Sequence, residues 1–311
     1  MISVTESTFF SSDGKTGIFY RQYIPETEAK AIVQIAHGVA EYIDRYAAFA
    51  EYLAENGYIV VLNDHLGHGR SISGESELGF FAEKNGWEKV VQDMRTLHDR
   101  TAASFPGKPY FLFGHSMGSF LSRSYLIRYL GGLDGCILSG TGHQNPLLVT
   151  GGVMMGSLEC RRKGSHFRSD FLQNMAFGSY NKEFEPRRTE FDWLSRDCAA
   201  VDAYAADPLC GYVSTAGLFR DMMNGIALIT NQKMINRMKK STPILFMSGD
   251  KDPVGENGKG VMRAYKCFLK AGMEDVTLKL YPGGRHEMLN ELNKQEVYED
   301  VLYWLDGKCG R

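Results

Sequence analysis

Short apolar runs separated by longer amphipathic stretches fill the chain from residue 31 to residue 139. Ala31–Ala36, Tyr58–Asn63, Tyr110–Phe113 and Gly135–Ser139 are four to six residues long and read as strands. Between them, Tyr42–Glu55 (closed by Asn56-Gly57), Phe81–Ser104 and Ser116–Leu130 read as helices. Two amphipathic strands precede this region, Thr8–Ser12 and Ile18–Tyr23, with Asp13-Gly14 as their turn. Alternation of this kind implies a parallel sheet with helices on both faces.

The rhythm stops near Gly142. From 143 to 230 the chain is rich in methionine and aromatics, with polar breaks and no strong strand. Alternation resumes with Pro243–Ser248 (strand), Lys259–Ala271 (helix), Val276–Tyr281 (strand) and Asn290–Leu305 (helix). The expected fold class is therefore α/β: one mostly parallel eight-stranded sheet with helices on both faces. Its core is expected over 1–142 and 231–311, with a helical cap over 143–230 inserted after the sixth strand.

Composition narrows the picture. A length of 311 residues fits one large α/β domain or two ordinary ones, and 43% hydrophobic residues suffice for a core. A net charge of −2 gives no long-range pull toward nucleic acid or an anionic membrane. No apolar run approaches the ~18 residues of a membrane span. Met1-Ile2-Ser3-Val4-Thr5-Glu6 lacks the basic start and apolar stretch of an export signal. A soluble, cytoplasmic protein is expected, and its six cysteines, which form no C-x-x-C pair, are expected to be free thiols.

The chemistry is carried by Gly114-His115-Ser116-Met117-Gly118, set between a strand and a helix. That is the nucleophile-elbow pattern, in which a strained turn lifts a serine hydroxyl off the sheet edge to attack an acyl carbon. A base and an acid should follow in the order serine, acid, histidine. Of the histidines after Ser116, His143 and His166 lie in the insertion. His286, in Pro282-Gly283-Gly284-Arg285-His286, follows the last strand and is the candidate general base. The acid should leave the strand Pro243–Ser248, where Asp250 and Asp252 both stand. Asp252 lies further past the strand end and has more room to turn back. An oxyanion hole needs two backbone N–H groups. Met117 supplies one candidate; Val39, in the loop His37-Gly38-Val39-Ala40, supplies the other. His37 is expected to be structural.

Asp64-His65-Leu66-Gly67-His68-Gly69 lacks the spacing of a strong zinc motif and reads as a loop. No G-x-G-x-x-G and no G-x-x-x-x-G-K-[ST] is present. No metal or cofactor is expected.

Four landmarks together resemble the α/β-hydrolase superfamily, in particular its monoacylglycerol lipase and lysophospholipase group. They are His37-Gly38-Val39-Ala40-Glu41 with Arg45-Tyr46, the segment Asp64 to Ser71, the elbow, and the Asp252/His286 pair. The G-x-x-D spacing from Gly249 to Asp252 also fits and favours Asp252 as the acid. Val39-Ala40 departs from the pattern, standing where an alanine–glycine pair is common.

The resemblance implies a cap that sets substrate choice, here built around Met154, Met155, Phe167, Phe171, Met175, Phe177, Phe191, Trp193, Met222 and Met223. Methionine suits an adaptable acyl pocket. Arg161-Arg162-Lys163, Arg168 and Arg187-Arg188 are either solvated or available to an anionic headgroup or a transient membrane-surface contact. The implied function is a serine carboxylester hydrolase acting on a small-molecule substrate: monoacylglycerol, lysophospholipid or a related medium-to-long acyl ester. Peptidase or amidase, thioesterase and acyltransferase chemistry are alternatives on the same residues; a non-catalytic binding protein is the alternative of another class. Epoxide hydrolases and dehalogenases place an aspartate where Ser116 stands.

Overall fold

The structure, a computed structural model, describes residues 2–309. Its strands are β1 (Ile2–Phe10), β2 (Gly17–Pro25), β3 (Ala31–Ala36), β4 (Tyr58–Asn63), β5 (Tyr110–His115), β6 (Gly135–Ser139), β7 (Ile244–Gly249) and β8 (Val276–Tyr281). They form one sheet in the order β1-β2-β4-β3-β5-β6-β7-β8. Pairing is antiparallel for β1–β2 and β2–β4 and parallel from β4 to β8.

The central strands are buried on both faces, and the two-residue period divides their side chains between two cores. Ile32, Ile59, Val61 and Leu112 face one side, where they meet Val90, Leu121 and Phe268. Val33, Val60, Phe111 and Phe113 face the other, against Phe49, Leu53, Val301 and Leu305. Helices α2 (Gly86–Ser104), α3 (Met117–Arg128) and α9 (Lys259–Lys270) supply the first core. Helices α1 (Ala47–Glu55) and α10 (Lys294–Cys309) supply the second.

Several element boundaries differ from expectation, each for a physical reason. β1 begins near residue 2 rather than at Thr8 because it is an edge strand, almost wholly exposed, and needs no apolar face. Tyr42–Glu55 splits into a single turn at Ile43–Tyr46 and α1. α2 starts at Gly86, not Phe81: Phe80 and Phe81 are buried from a loop that ends at Asn85, whose φ of +56° is left-handed. At the C-terminal end a turn at Met288–Asn290 precedes α10.

Between β6 and β7 the chain builds α4 (Pro146–Lys163), α5 (Asp170–Phe177), α6 (Cys198–Ala206), α7 (Ala216–Thr230) and α8 (Gln232–Ile235). This covering segment shares a core with the sheet: Val149, Leu172, Phe219 and Ile226 join the same apolar cluster as Ile32 and Leu121. α7 is its keel. A Cβ on Gly225 would run into the Trp87 indole of α2, and Gly152 of α4 rests against Met223. The buried Arg123 guanidinium donates to Gly142 O at 2.7 Å and Ile229 O at 2.8 Å, clasping both ends of the segment. Among the described residues, no helix is long and apolar enough to cross a membrane.

Candidate active site

The elbow forms where β5 passes directly into α3. Ser116 sits at φ +52°, ψ −121°, a conformation L-residues rarely adopt. Its neighbours explain why glycine flanks it. A Cβ on Gly114 would strike the Gly118 carbonyl, and one on Gly118 would strike the Ala36 carbonyl at the end of β3. Gly38 follows β3, and a Cβ there would lie 3.1 Å from that of Ser116. The loop holding Val39 is thereby pressed against the elbow.

Two further loops meet at the same edge. Gly249 and Gly284 touch backbone to backbone, and Lys251 N–H donates to Gly284 O at 2.9 Å. Of the two candidate acids, Asp252 reaches the imidazole: its Oδ1 accepts from His286 Nδ1 at 3.0 Å. The same carboxylate accepts from Val254 N–H at 2.9 Å and from Ser248 Oγ at 3.0 Å. Asp250 instead accepts the Gly283 N–H at 2.8 Å and braces the histidine loop. Ser116, His286, Val39 and Met117 all line one cavity of about 630 Å³.

Burial favours the neutral form of the His286 ring, but the Asp252 charge and hydrogen bond outweigh it and hold its pKa above the usual 6.5. His115 packs beside it with ring centroids 4.7 Å apart. Burial, then the His286 charge, keeps His115 neutral. His37 behaves as expected of a structural residue. Its Nε2 accepts from the His65 N–H at 2.9 Å, so Nδ1 carries the proton and donates to Gly38 O at 2.7 Å. The Asp64–Gly69 loop is a stacked scaffold. His65 and His68 pack on the His37 ring, and burial holds their pKa values at about 3 and about 4. Asp64 accepts from the Ile43 and Arg70 N–H groups.

The cavity wall is mainly apolar and comes largely from the covering segment. Met155, Met175, Phe177, Phe191, Trp193, Met222 and Met223 line it; Met154, Phe167 and Phe171 do not. The Trp193 ring stands 5.0 Å from that of His286. Arg161, Arg162 and Lys163 are exposed at the end of α4 and do not line the cavity. There they complement the helix dipole, and Lys163 pairs with Glu159. Arg168 is bound to the Val213 and Leu78 carbonyls.

The model of the serine aminopeptidase S33 family matches residues 27–293. The chain belongs to that family of α/β-hydrolases. A monoacylglycerol lipase of Mycolicibacterium smegmatis is 31% identical, covering 98% of this chain and 99% of its own. The human monoglyceride lipase is 27% identical over 95% of this chain and 88% of its own. Among solved structures, a highly thermostable carboxyl esterase from Bacillus coagulans in complex with glycerol superimposes with a TM-score of 0.93. It is 28% identical, covering 99% of this chain and 100% of its own. The monoacylglycerol lipase group of α/β-hydrolases is thus the chain's place.

Within this family framework, Glu41, Arg45 and Tyr46 of the first landmark form one buried polar cluster with Glu287. Glu41 accepts from the Gly38 N–H, from Tyr46 Oη at 2.7 Å and from Arg45 Nε at 3.1 Å. Arg45 also pairs with Glu287, next to His286. The cluster joins the Val39 loop to the histidine loop. The landmark names Glu41, Arg45 and Tyr46 but not their contact, since a glutamate four residues before an arginine is also the spacing of many solvated helix pairs. Glu287 lies 242 positions from Arg45 and carries no such signal.

A general base must be neutral, so kcat/KM should rise with pH through the raised His286 pKa and level off above it. The acid limb is expected above pH 6.5 in the wild type. In Asp252→Asn the charge is gone, burial dominates, and the limb moves to lower pH while the plateau falls. A limb that stays put in this variant, measured on a soluble ester, would contradict the pairing.

Proposed function

We propose that the protein hydrolyses carboxylic esters of neutral acylglycerols, monoacylglycerol first, through an acyl-enzyme on Ser116. The observation that carries the reading is the meeting of the Ser116 elbow and the His286–Asp252 pair at one apolar cavity. His286 takes the hydroxyl proton as Ser116 attacks the ester carbonyl, and Asp252 holds the ring in the tautomer with Nδ1 protonated. The Val39 and Met117 N–H groups receive the oxyanion. His286 then returns the proton to the leaving glycerol oxygen, and a water activated by the same ring releases the acid.

Headgroup choice follows from charge. Neither lysine nor arginine is among the residues lining the cavity, whereas Glu41, Glu190 and Glu287 are. A phosphate there would be desolvated without a cation. The glycerol bound by the Bacillus coagulans esterase is in keeping with a neutral, hydroxyl-rich headgroup. A peptide α-amino group would need a free carboxylate, yet Glu41 and Glu287 are engaged with Arg45, and Glu190 with Arg187. The segment 143–230 acts as a cap, and its outer face is the surface that meets lipid. Leu147 and Leu148, 81% and 74% exposed, line the cavity, and Met154 and Phe171 are also exposed on this segment. The six free cysteines favour a reducing, cytoplasmic compartment.

Ser116→Ala should lower kcat by roughly 10⁴-fold or more with the fold intact. In the wild type, kcat/KM for a monoacylglycerol should exceed that for a lysophospholipid with a free phosphate by at least about 10-fold, and aminoacyl anilides should be poor substrates. Equal rates on the anionic lipid would refute the headgroup assignment. Monoacylglycerol in neutral vesicles should bind the enzyme, and replacing Leu147 and Leu148 with aspartate should weaken sedimentation with vesicles while sparing a dissolved short-chain ester. Unchanged sedimentation would remove the lipid-facing role.

A further inference from the structure

Ala40 is a non-glycine residue held at φ +53°, where its own Cβ crowds its carbonyl. Something must hold it there. Its carbonyl oxygen accepts two hydrogen bonds, from Tyr204 Oη at 2.9 Å and from the Gly211 N–H at 2.9 Å. Both donors belong to the covering segment: Tyr204 lies in the last turn of α6, and Gly211 in the loop that follows it. On the other side of Val39, the Gly38 N–H is held from the core by Glu41. Val39 therefore sits between two clamps, one from the core and one from the cover.

We infer that Tyr204 is a positioning residue for the oxyanion loop: its hydroxyl holds Ala40 in the left-handed conformation that aims the Val39 N–H, so the hole is complete only while the cover is seated. This rests on Val39 serving as an oxyanion donor. Tyr204 is suited to the task. It is buried, its ring is stacked under the Arg45 guanidinium at 4.7 Å, and burial keeps its hydroxyl protonated. Arg45 is in turn bound to Glu41, the core clamp. Gly211 packs closely there: a Cβ on it would strike the Phe191 ring and crowd that of Tyr204. A second tie, Tyr42 Oη to Asp207 at 2.8 Å, joins the same two segments beside the loop. Movement of the α6–Gly211 region away from the core would remove both bonds at Ala40 together. The strained residue would then relax, and the Val39 peptide would turn with it. Substrate that seats the cover would thereby complete the hole.

The strain supplies the test. Glycine adopts this backbone conformation without Cβ crowding, so Ala40→Gly should make the loop less dependent on the clamp. Kinetics of Tyr204→Phe, Ala40→Gly and the double variant are compared on a dissolved p-nitrophenyl ester. Tyr204→Phe keeps the ring over Arg45 and loses only the hydroxyl. It should lower kcat by about 10-fold with KM within about 2-fold, the pattern of a displaced transition-state contact. In the Ala40→Gly background the same change should cost less than about 3-fold. An equal loss in both backgrounds, or a Tyr204→Phe kcat within about 2-fold of wild type, overturns the coupling. Thermal unfolding carries a parallel readout. The midpoint lost on Tyr204→Phe should shrink when Ala40 is glycine, and equal losses count against the coupling. Ser116→Ala separates the two levels. If it is inactive while the other substitutions behave additively, the clamp fails and the site reading stands; if it is active, both fail.

Discussion

At the carboxyl end of the sheet, backbone meets backbone at distances no side chain would permit. Gly118 of the elbow lies against the Ala36 carbonyl, Gly114 against Gly118, and Gly249 against Gly284. These contacts do not stabilise the fold by burying surface; they allow three loops from distant parts of the chain to converge. The first sets Val39 beside Ser116, and the last sets the Asp252 loop beside the His286 loop. A methyl group at any of these positions would force the strands and helix apart. The geometry of the site therefore depends on missing atoms as much as on the functional groups present.

Around that junction the electrostatics are dry and fixed. Five histidines are buried there, and burial keeps four of them, His37, His65, His68 and His115, neutral. Only His286 is shifted the other way, because it alone faces a carboxylate with its Nδ1. That contrast singles out one imidazole able to gain a proton in an environment that denies it to its neighbours. The Glu41–Arg45–Glu287 cluster adds a buried cation between two carboxylates, tying the Val39 loop to the histidine loop. Arg45 also carries the Tyr204 ring, so the core, the cover and the Val39 and His286 loops share one polar joint.

The central strands were legible because burial on both faces leaves an unbroken apolar run, and the elbow backbone because two glycines flank Ser116 between a strand and a helix. Chain order pointed to the His286 loop, which meets the elbow at one cavity. Asp250 and Asp252 were separable only weakly, since both leave the same strand; the hydrogen bonds at Gly283 and His286 divide their positions. Other features left a partial local trace or none. β1 was legible only from Thr8 onward, because the rest of this edge strand is exposed and has no apolar face. α4 lacks a clean apolar stripe because one side packs on α7 while other apolar residues, Leu147 and Leu148, face outward. Tyr204 and Ala40 are 164 residues apart, and neither their bond nor the backbone angle it supports is written in any short pattern.

In the proposed reaction one serine, one imidazole and two backbone N–H groups converge on a single acyl group. The most direct measurement is a crystal structure of the enzyme inactivated by a long-chain fluorophosphonate. The expected structure has a covalent bond to Ser116 Oγ, the alkyl chain in the apolar cavity, and the phosphonyl oxygen within about 2.7–3.1 Å of the Val39 and Met117 nitrogens. An adduct on another residue, or one whose phosphonyl oxygen points away from both N–H groups, would contradict it.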